Sequence, residues 1–337
     1  MLKYPIEDFS RARLSAVAAV LALGCLAAPV QAADRAASFP TRPIRIVLPT
    51  SAGSGVDITV RAIAQKLTEA WGQPVIVDNR PGANGIIGME AVARANPDGY
   101  TWLQAFTSVL TINPYVYKSL PYDVFRDYVP MTQTVTNTMA LVVNSSVPAK
   151  SPKELVALAR SRPGALAYSS AGVGNLTHLT GELLRAEAGL KLLHVPYKGE
   201  SNAFNALIAG ETALMFSVAL GVVPHVNAGR LRLLATCGEQ RASAFPDKPT
   251  MVESGFPKVV STGWGGLLAP AGTPPEVARK IQQETARQLN MPDLKDRLSA
   301  LGTEPVGSTP AEFAAFIKSE ADKWSRVTRE AGIAGSQ

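Results

Sequence analysis

PIRIVLPTSAGSGVD, residues 43–57, indicates the fold class. Residues 43–49 form a short run rich in β-branched side chains, which favours a buried strand. A turn rich in glycine and serine follows at 51–55. The next apolar residues, Ile58, Ala62, Ile63 and Leu67, then recur at helical spacing over 57–70. The order is therefore strand, tight turn, helix.

The same order repeats outward from this stretch. Residues 73–78 predict a strand, 80–85 a glycine-containing turn, 87–95 a helix and 101–106 a third strand. The run 132–144 becomes apolar towards its end, and Ser151, Pro152 and Glu154 have the residue types of a helix start, with the helix running to about 161. Alternation of this kind predicts an α/β protein in which helices flank mostly parallel sheets.

The later segments predict a second structural unit, followed by C-terminal elements that complete the first unit. Strands are expected at 166–169, 192–195, 213–216, 231–236 and 262–270, and helices at 177–188, 202–209, 275–290, 292–300 and 310–331. The first unit lacks enough elements to complete itself, so the C-terminal helices are expected to cover its sheet. We predict a discontinuous lobe 1 over 33–140 plus 256–337 and a lobe 2 over 141–255.

Composition and the N-terminal residues set the class of protein. The chain has 337 residues, of which 46% are hydrophobic and 18% charged, and this excludes disordered and low-complexity chains. Basic residues precede a charge-free run over 14–30, and Val30-Gln31-Ala32 has the small-residue pattern of a cleavage site. We therefore predict a signal peptide over 1–32 and an exported protein. A retained anchor and a lipoprotein modified at Cys25 are the less favoured alternatives.

Charge and cysteine content exclude further classes. The net charge is +6, but the basic residues are scattered, so no nucleic acid partner is expected. After cleavage Cys237 is the only cysteine, which excludes an internal disulfide and favours a buried apolar role. The charge-free stretches 101–117 and 212–229 contain Asn, Pro or Gly, and we interpret them as buried strands and loops rather than membrane spans.

Enzyme signatures are missing from the sequence. The three histidines, His178, His194 and His225, have no metal-ligand spacing, so no metal is expected. Nucleophile-elbow, phosphate-loop and paired-cysteine motifs do not occur either, and no cofactor is expected. Residues 82–88 have three glycines at a spacing unlike that of a dinucleotide loop. We interpret them as a tight turn with positive φ angles.

Two glycine- and serine-rich turns stand directly before predicted helices, one in each lobe. The first is residues 50–57 and the second residues 169–178. The N-terminus of a helix attracts anions through free N–H groups and the helix dipole, without needing a basic side chain. Taken alone, such loops are ordinary turns. A matched pair on two α/β lobes favours a clamp for a carboxylate.

Longer motifs resemble the Bug family of extracytoplasmic solute receptors of tripartite tricarboxylate transporters. They include Pro43 to Asp57, Gly72 to Gly85, and Asn96-Pro97-Asp98-Gly99-Tyr100-Thr101. The likeness continues in order through Asn113-Pro114, Leu120 to Asp123, His194 to Gly199, Met215-Phe216, Gly229 to Arg232, Ala269 to Pro274 and Ala331 to Ile333. It covers essentially the whole chain after residue 32.

The resemblance implies a two-lobed periplasmic binding protein, type II-like, that closes on a small organic acid like a Venus flytrap and delivers it to permease subunits in the membrane. It implies that the ligand binds to the two loops, and adjacent residues could also contact the ligand. The candidates are Thr50, Ser51, Ala52, Gly53, Ser54, Gly55, Asp57, Ser170, Ala171, Gly172, Gly174, Asn175, His178, Tyr197 and Ser217. Thr50, Ser54 and Asn175 depart from the family's usual residues, so the particular ligand is not carried over.

Individual candidates have simpler interpretations. Asp57 is expected first of all to cap a helix, and His178 to pack beside its loop. Trp264 is expected in the core or the hinge, and Lys198 at a solvated rim or in the cleft. Two further alternatives remain open for the whole chain: a ligand sensor for a signalling partner, and an α/β enzyme acting on a small carboxylate. A monomer is expected.

Overall fold

The computed structural model describes residues 38–242, 244–300 and 302–337. The predicted signal peptide and its cleavage site lie outside the described residues. The strands are β1 (Ile44–Leu48), β2 (Val75–Asn79), β3 (Thr101–Phe106), β4 (Tyr128–Asn144), β5 (Ala167–Ser170), β6 (Leu193–Pro196), β7 (Leu214–Val218), β8 (Leu231–Thr236), β9 (Thr262–Pro270) and β10 (Thr303–Pro305).

Helices connect and cover these strands. They are α1 (Gly55–Trp71), α2 (Ile86–Ala93), α3 (Asn113–Val116), α4 (Pro152–Ser161), α5 (Leu176–Ala188), α6 (Glu200–Ala209), α7 (Ala219–Asn227), α8 (Pro275–Leu289), α9 (Pro292–Ser299) and α10 (Pro310–Glu330). A short 3₁₀ turn, Ala83–Gly85, precedes α2, and a π-helix, Ser108–Ile112, leads into α3. The predicted strand, turn and helix over residues 43–70 are confirmed by β1 and α1.

The sheet is mixed, with the strand order β2-β1-β3-β9-β4-β7-β5-β6. Pairing is parallel among β1, β2 and β3 and among β5, β6 and β7. Pairing is antiparallel wherever β4 or β9 takes part. The α/β class is thus confirmed, but the sheets are not mostly parallel. The physical reason is that the chain returns through β9, which inserts antiparallel between β3 and β4.

Strand β4 is the element common to both ends of the sheet. Its first part, Tyr128–Thr138, pairs with β9, and its last part, from Met139, pairs with β7 and β8. In the last part Met139, Leu141 and Val143 enter one core cluster, whereas Ala140 and Val142 enter another on the opposite face. Both faces are therefore covered, which explains the uninterrupted apolar run.

Two parts of the chain differ from the interpretation of their sequence. Residues 219–227 form α7, although we expected strands and loops over 212–229. Pro224 stands inside this helix and removes one helical hydrogen bond, which hides the helix in the sequence. The stretch 101–117 contains β3 as expected, but it continues as the π-helix and α3. Among the described residues, no helix combines the length and apolar character needed to cross a bilayer.

Candidate functional site

A cavity of about 590 Å³ opens where the two parts of the sheet meet at β4. Asn137 and Met139 of β4 line it, together with Gly263 and Trp264 of β9. Its remaining walls come from the loop after β1, the turn 81–85, the start of the π-helix, the loop after β5 and the loop after β6. A concave site of this size suits a small molecule.

The loop after β1 places Thr50 and Ser51 on the cavity wall. Ser54 is the N-cap of α1, where its Oγ accepts a hydrogen bond from the N–H of Asp57 at 3.2 Å. Asp57 in turn accepts from the N–H of Gly53 at 3.0 Å and from Arg61 at 3.0 Å. Ser54 therefore caps α1, and Asp57, the third residue of the helix, holds the loop through Gly53.

Hydrogen bonds decide the protonation of Asp57. Burial alone would raise its pKa, but the Arg61 side chain, the Gly53 N–H and the Asn79 amide together hold the pKa of Asp57 below its usual value. The carboxylate is thus ionised and turned towards its own loop. The N-cap of α1 is therefore Ser54 and not Asp57, whose carboxylate instead accepts from the loop N–H of Gly53.

The loop after β5 places Ala171, Gly172 and Asn175 on the opposite wall. Asn175 is the N-cap of α5, because its Oδ1 accepts from the N–H of Thr177 at 3.1 Å. Gly172 has φ +136°, a conformation that favours glycine. The two loops expected from the sequence therefore face one cavity, each ending in a capped helix.

Two histidines form hydrogen-bond contacts with the loop after β5, on the side away from the cavity. His178 Nδ1 accepts from the N–H of Gly174 at 3.0 Å, and His194 Nε2 lies 2.6 Å from Ser170 Oγ. The two imidazole rings are stacked with centroids 3.9 Å apart. Burial, with the Arg185 charge, lowers the pKa of His178 to about 4, and burial, with His178, lowers the pKa of His194 to about 4. Neutral imidazoles therefore support the loop.

A third loop, after β6, contributes Tyr197, Lys198, Gly199 and Glu200 to the cavity wall. Tyr197 OH donates to Glu211 at 3.1 Å at the exposed rim. Ser217 Oγ donates to Glu200 Oε1 at 2.7 Å behind the wall. Lys198 is exposed and lines the cavity, so it lies at the solvated rim of the cavity.

The turn 82–85 is a part of the wall that sequence reasoning treated only as a tight turn. Gly82, Ala83, Asn84 and Gly85 all have positive φ, which confirms the expected backbone conformation. The turn directs Asn84 across the cavity, where its Oδ1 accepts from Asn175 Nδ2 at 3.2 Å. The Asn-Gly pair after a strand is the signal that could have indicated this role.

Other hydrogen bonds also join opposite walls. Ser201 Oγ donates to the carbonyl of Ala52 at 3.1 Å and lies 3.4 Å from Ser51 Oγ. Ser108 Oγ accepts from the N–H of Leu176 at 3.0 Å. These contacts enclose the cavity on several sides.

The candidates divide into two groups by position. Thr50, Ser51, Ala171, Gly172, Asn175 and Tyr197 line the cavity. The others lie behind or beside the wall: Ala52, Gly53, Ser54, Gly55, Asp57, Ser170, Gly174, His178 and Ser217. The lining residues that we did not single out include Asn84, Ser108, Asn137 and Glu200. Trp264 both lines the cavity and packs against Phe313.

Several helices begin at the wall of the cavity. The first residues of α2, α5 and α6 and the second residue of α1 lie on or beside its wall. Each start carries a partial positive charge from the helix dipole. Among the described residues that line the cavity, Lys198 is the one with a basic side chain and Glu200 the one with an acidic side chain. No group of three His, Cys, Asp or Glu that could hold a metal occurs within 38–242, 244–300 and 302–337.

Comparison with known proteins gives a consistent result. The family model described as "Tripartite tricarboxylate transporter family receptor" matches residues 59–333. Among solved structures, the periplasmic binding protein BugD is 30% identical, with a TM-score of 0.84 over 88% of this chain and 99% of BugD.

Two similar structures contain dicarboxylates. Rpa4515 of R. palustris, solved with adipate, is 31% identical, with a TM-score of 0.86 over 88% of this chain and 99% of that one. MatC (Rpa3494) of Rhodopseudomonas palustris, solved with bound malate, is 27% identical, with a TM-score of 0.80 over 86% of this chain and 99% of MatC.

Proposed function

Because the chain belongs to the tripartite tricarboxylate transporter family of receptors, we propose that it binds a small organic acid with two carboxylates in the cavity at β4. The receptor then presents this ligand to the permease subunits of a tripartite tricarboxylate-type transporter. The adipate and malate held by two similar structures support the ligand class.

One observation carries the proposal. The cavity gathers the starts of several helices and a dense set of amide and hydroxyl groups, while its single basic side chain, Lys198, is exposed at the rim. Such a lining stabilises a carboxylate through dipoles and hydrogen bonds rather than through a buried ion pair. We propose that the contacts come from Thr50, Ser51, Ala171, Gly172 and Asn175, with Asn84 added from the turn 82–85.

Ligand-driven closure completes the proposed mechanism. With lobe 1 over 33–140 plus 256–337 and lobe 2 over 141–255, the two binding loops stand on different lobes. A ligand that contacts both loops favours the closed form, because only that form satisfies both sets of donors. We propose that the receptor works as a monomer in the periplasm, in line with the periplasmic relative BugD.

Calorimetry tests the ligand class. Adipate and malate should bind, whereas hexane-1,6-diol, which keeps the chain of adipate without its charges, should not. At about 100 times its Kd, a bound acid should add roughly 2.7 kcal/mol to the free energy of unfolding. If no acid of a panel of mono- and dicarboxylates binds, the proposed function is wrong.

Two further measurements test closure and export. Small-angle scattering should give a smaller radius of gyration with saturating ligand, and an unchanged radius would reject the clamp. N-terminal sequencing of the protein from a periplasmic extract should begin at or near Ala33. An intact Met1 or a lipid-modified Cys25 would overturn the prediction of a cleaved signal peptide.

A further inference from the structure

Glu200 is a buried acid on the wall of a cavity that we assign to acids. It is the first residue of α6, only 7% of its surface is exposed, and it lines the cavity. A buried carboxylate is ordinarily paired with a cation. The part of the chain that the structure describes gives Glu200 no ion pair.

The immediate contacts of Glu200 are neutral. Ser217 Oγ donates to Oε1 at 2.7 Å, and the backbone N–H of Val218 also contacts the carboxyl. While Oε1 accepts from Ser217, Oε2 is the oxygen left to carry a proton.

Charged and titratable groups on the elements around α6 have other partners or positions. Lys198, two residues before Glu200, is exposed, and Tyr197 binds Glu211 at the rim. On neighbouring elements the titratable groups are Asp57 of α1, paired with Arg61, Tyr168 of β5, bonded to Glu182, and His225 of α7, which packs on Phe204. Among residues 38–242, 244–300 and 302–337, no basic side chain forms an ion pair with the Glu200 carboxylate.

Opposing effects act on the pKa of Glu200. Burial raises the pKa of Glu200, whereas Ser217, Val218 and the start of α6 favour the anion. A ligand carboxylate in contact with Glu200 would add a like charge at close range. Two carboxyl groups in one enclosed site hold a proton between them, because both cannot stay ionised at low cost.

We propose that Glu200 is a neutral carboxylic acid in the ligand complex and donates a hydrogen bond from Oε2 to a carboxylate of the ligand, so that the receptor takes up one proton with its ligand. The inference rests on the proposed function and adds to it a residue that determines specificity. A neutral donor beside the helix starts lets the cavity hold a carboxylate without a buried cation.

The proposal fixes the direction of the pH dependence. Ligand binding raises the affinity of Glu200 for a proton, and linkage then requires that a proton raise the affinity for ligand. The affinity for a dicarboxylate therefore falls as the pH rises through the range in which Glu200 is ionised in the free receptor. The limit for one proton is about tenfold in Kd per pH unit.

Calorimetry with adipate measures the proton directly. Titrations in two buffers of different ionisation enthalpy give the number of protons taken up, which should approach one for the unaltered protein above the pH at which free Glu200 ionises. Glu200→Gln keeps a donor but cannot titrate, so it should bind several-fold more weakly at low pH, with no uptake and a flat pH profile. Glu239→Gln removes the same charge from an exposed loop residue, and this variant should take up as many protons as the unaltered protein.

The possible outcomes distinguish a failure of this inference from a failure of the proposed function. Adipate binding without proton uptake by the unaltered protein overturns the inference and leaves the proposed function intact. Unchanged proton uptake in Glu200→Gln also overturns it. If Glu200→Gln removes a preference for malate over succinate and uptake is zero, Glu200 is instead an ionised acceptor for the ligand hydroxyl. If the unaltered protein binds no acid of the panel, the proposed function and this inference fail together.

Discussion

Asn175 donates from Nδ2 to Oδ1 of Asn84 across the cavity, at 3.2 Å, although the two residues are 91 positions apart in the sequence. The same Asn175 caps α5 through its Oδ1. Asn84 also donates to Asn113 Oδ1 at 2.8 Å, so its side chain is fixed from its own side as well. One amide thus connects a helix start on one wall with a turn on the other.

Removing this amide should weaken ligand binding. Asn84 has φ +52°, so Asn84→Gly deletes the side chain without adding backbone strain. We expect an increase in Kd of about fivefold, the equivalent of one neutral hydrogen bond. Ala83→Gly, at φ +45° in the same turn, loosens the backbone but removes no polar group. Calorimetry should show the smaller effect for Ala83→Gly, and equal effects would refute a role for the amide.

Gly172→Val should abolish binding of adipate. At φ +136° a β-branched side chain is strained by about 1–3 kcal/mol, and the new side chain would stand on the cavity wall beside Asn84. Gly164→Val, at φ +81° in open space, gives the matched control. It should lower stability in urea unfolding while adipate binding persists. Tight binding by Gly172→Val would contradict the assignment of this loop.

Acid should destabilise the protein through His178 and His194. Each has a pKa of about 4 when folded, against about 6.5 in an unfolded chain, so the unfolded state holds more protons between these values. The free energy of unfolding therefore falls as the pH drops from 6.5 towards 4, by up to about 1.4 kcal/mol per pH unit for buried His178 and less for the more exposed His194. Urea unfolding at several pH values measures this slope. His194→Gln should reduce it, and an unchanged slope would exclude His194 as its source.

Cys237 should resist thiol reagents in the folded protein. Its side chain is fully buried, and burial raises the pKa of the thiol well above its usual value. A colorimetric thiol assay should therefore give no signal under native conditions and one thiol per mature chain in denaturant. Rapid native reaction would mean that the chain opens where Cys237 hydrogen-bonds to Met139 and Ser261.

Local signals in the sequence account for much of the site. Gly53 and Gly172 stand in turns that precede helices, and the side chains of Ser54 and Asn175 are of the types that cap them. Such features depend on a few consecutive residues, so propensity and spacing suffice to predict them. The same holds for the positive φ angles of residues 82–85.

Long-range contacts were beyond the reach of sequence reasoning. Glu200 contacts Ser217 only because α6 and β7 lie side by side, and Asn84 reaches Asn175 only once β2 and β5 are placed in the sheet. His178 and His194 likewise stack only after α5 has packed on β5 and β7 and β6 has paired with β5. The sequence does not predict helix α7, because Gly221 and Pro224 within it lower its apparent helix propensity.

Strand β4 gives both halves of the molecule a common backbone ladder. Neither half can melt without exposing unpaired N–H and C=O groups of this strand, so heating should produce one cooperative calorimetric peak rather than two. A gene fragment that encodes residues 141–255 alone would lack most of the strand and should accumulate as insoluble aggregate. Substitutions in the loops that line the cavity should therefore cost less stability than substitutions that interrupt the β4 ladder.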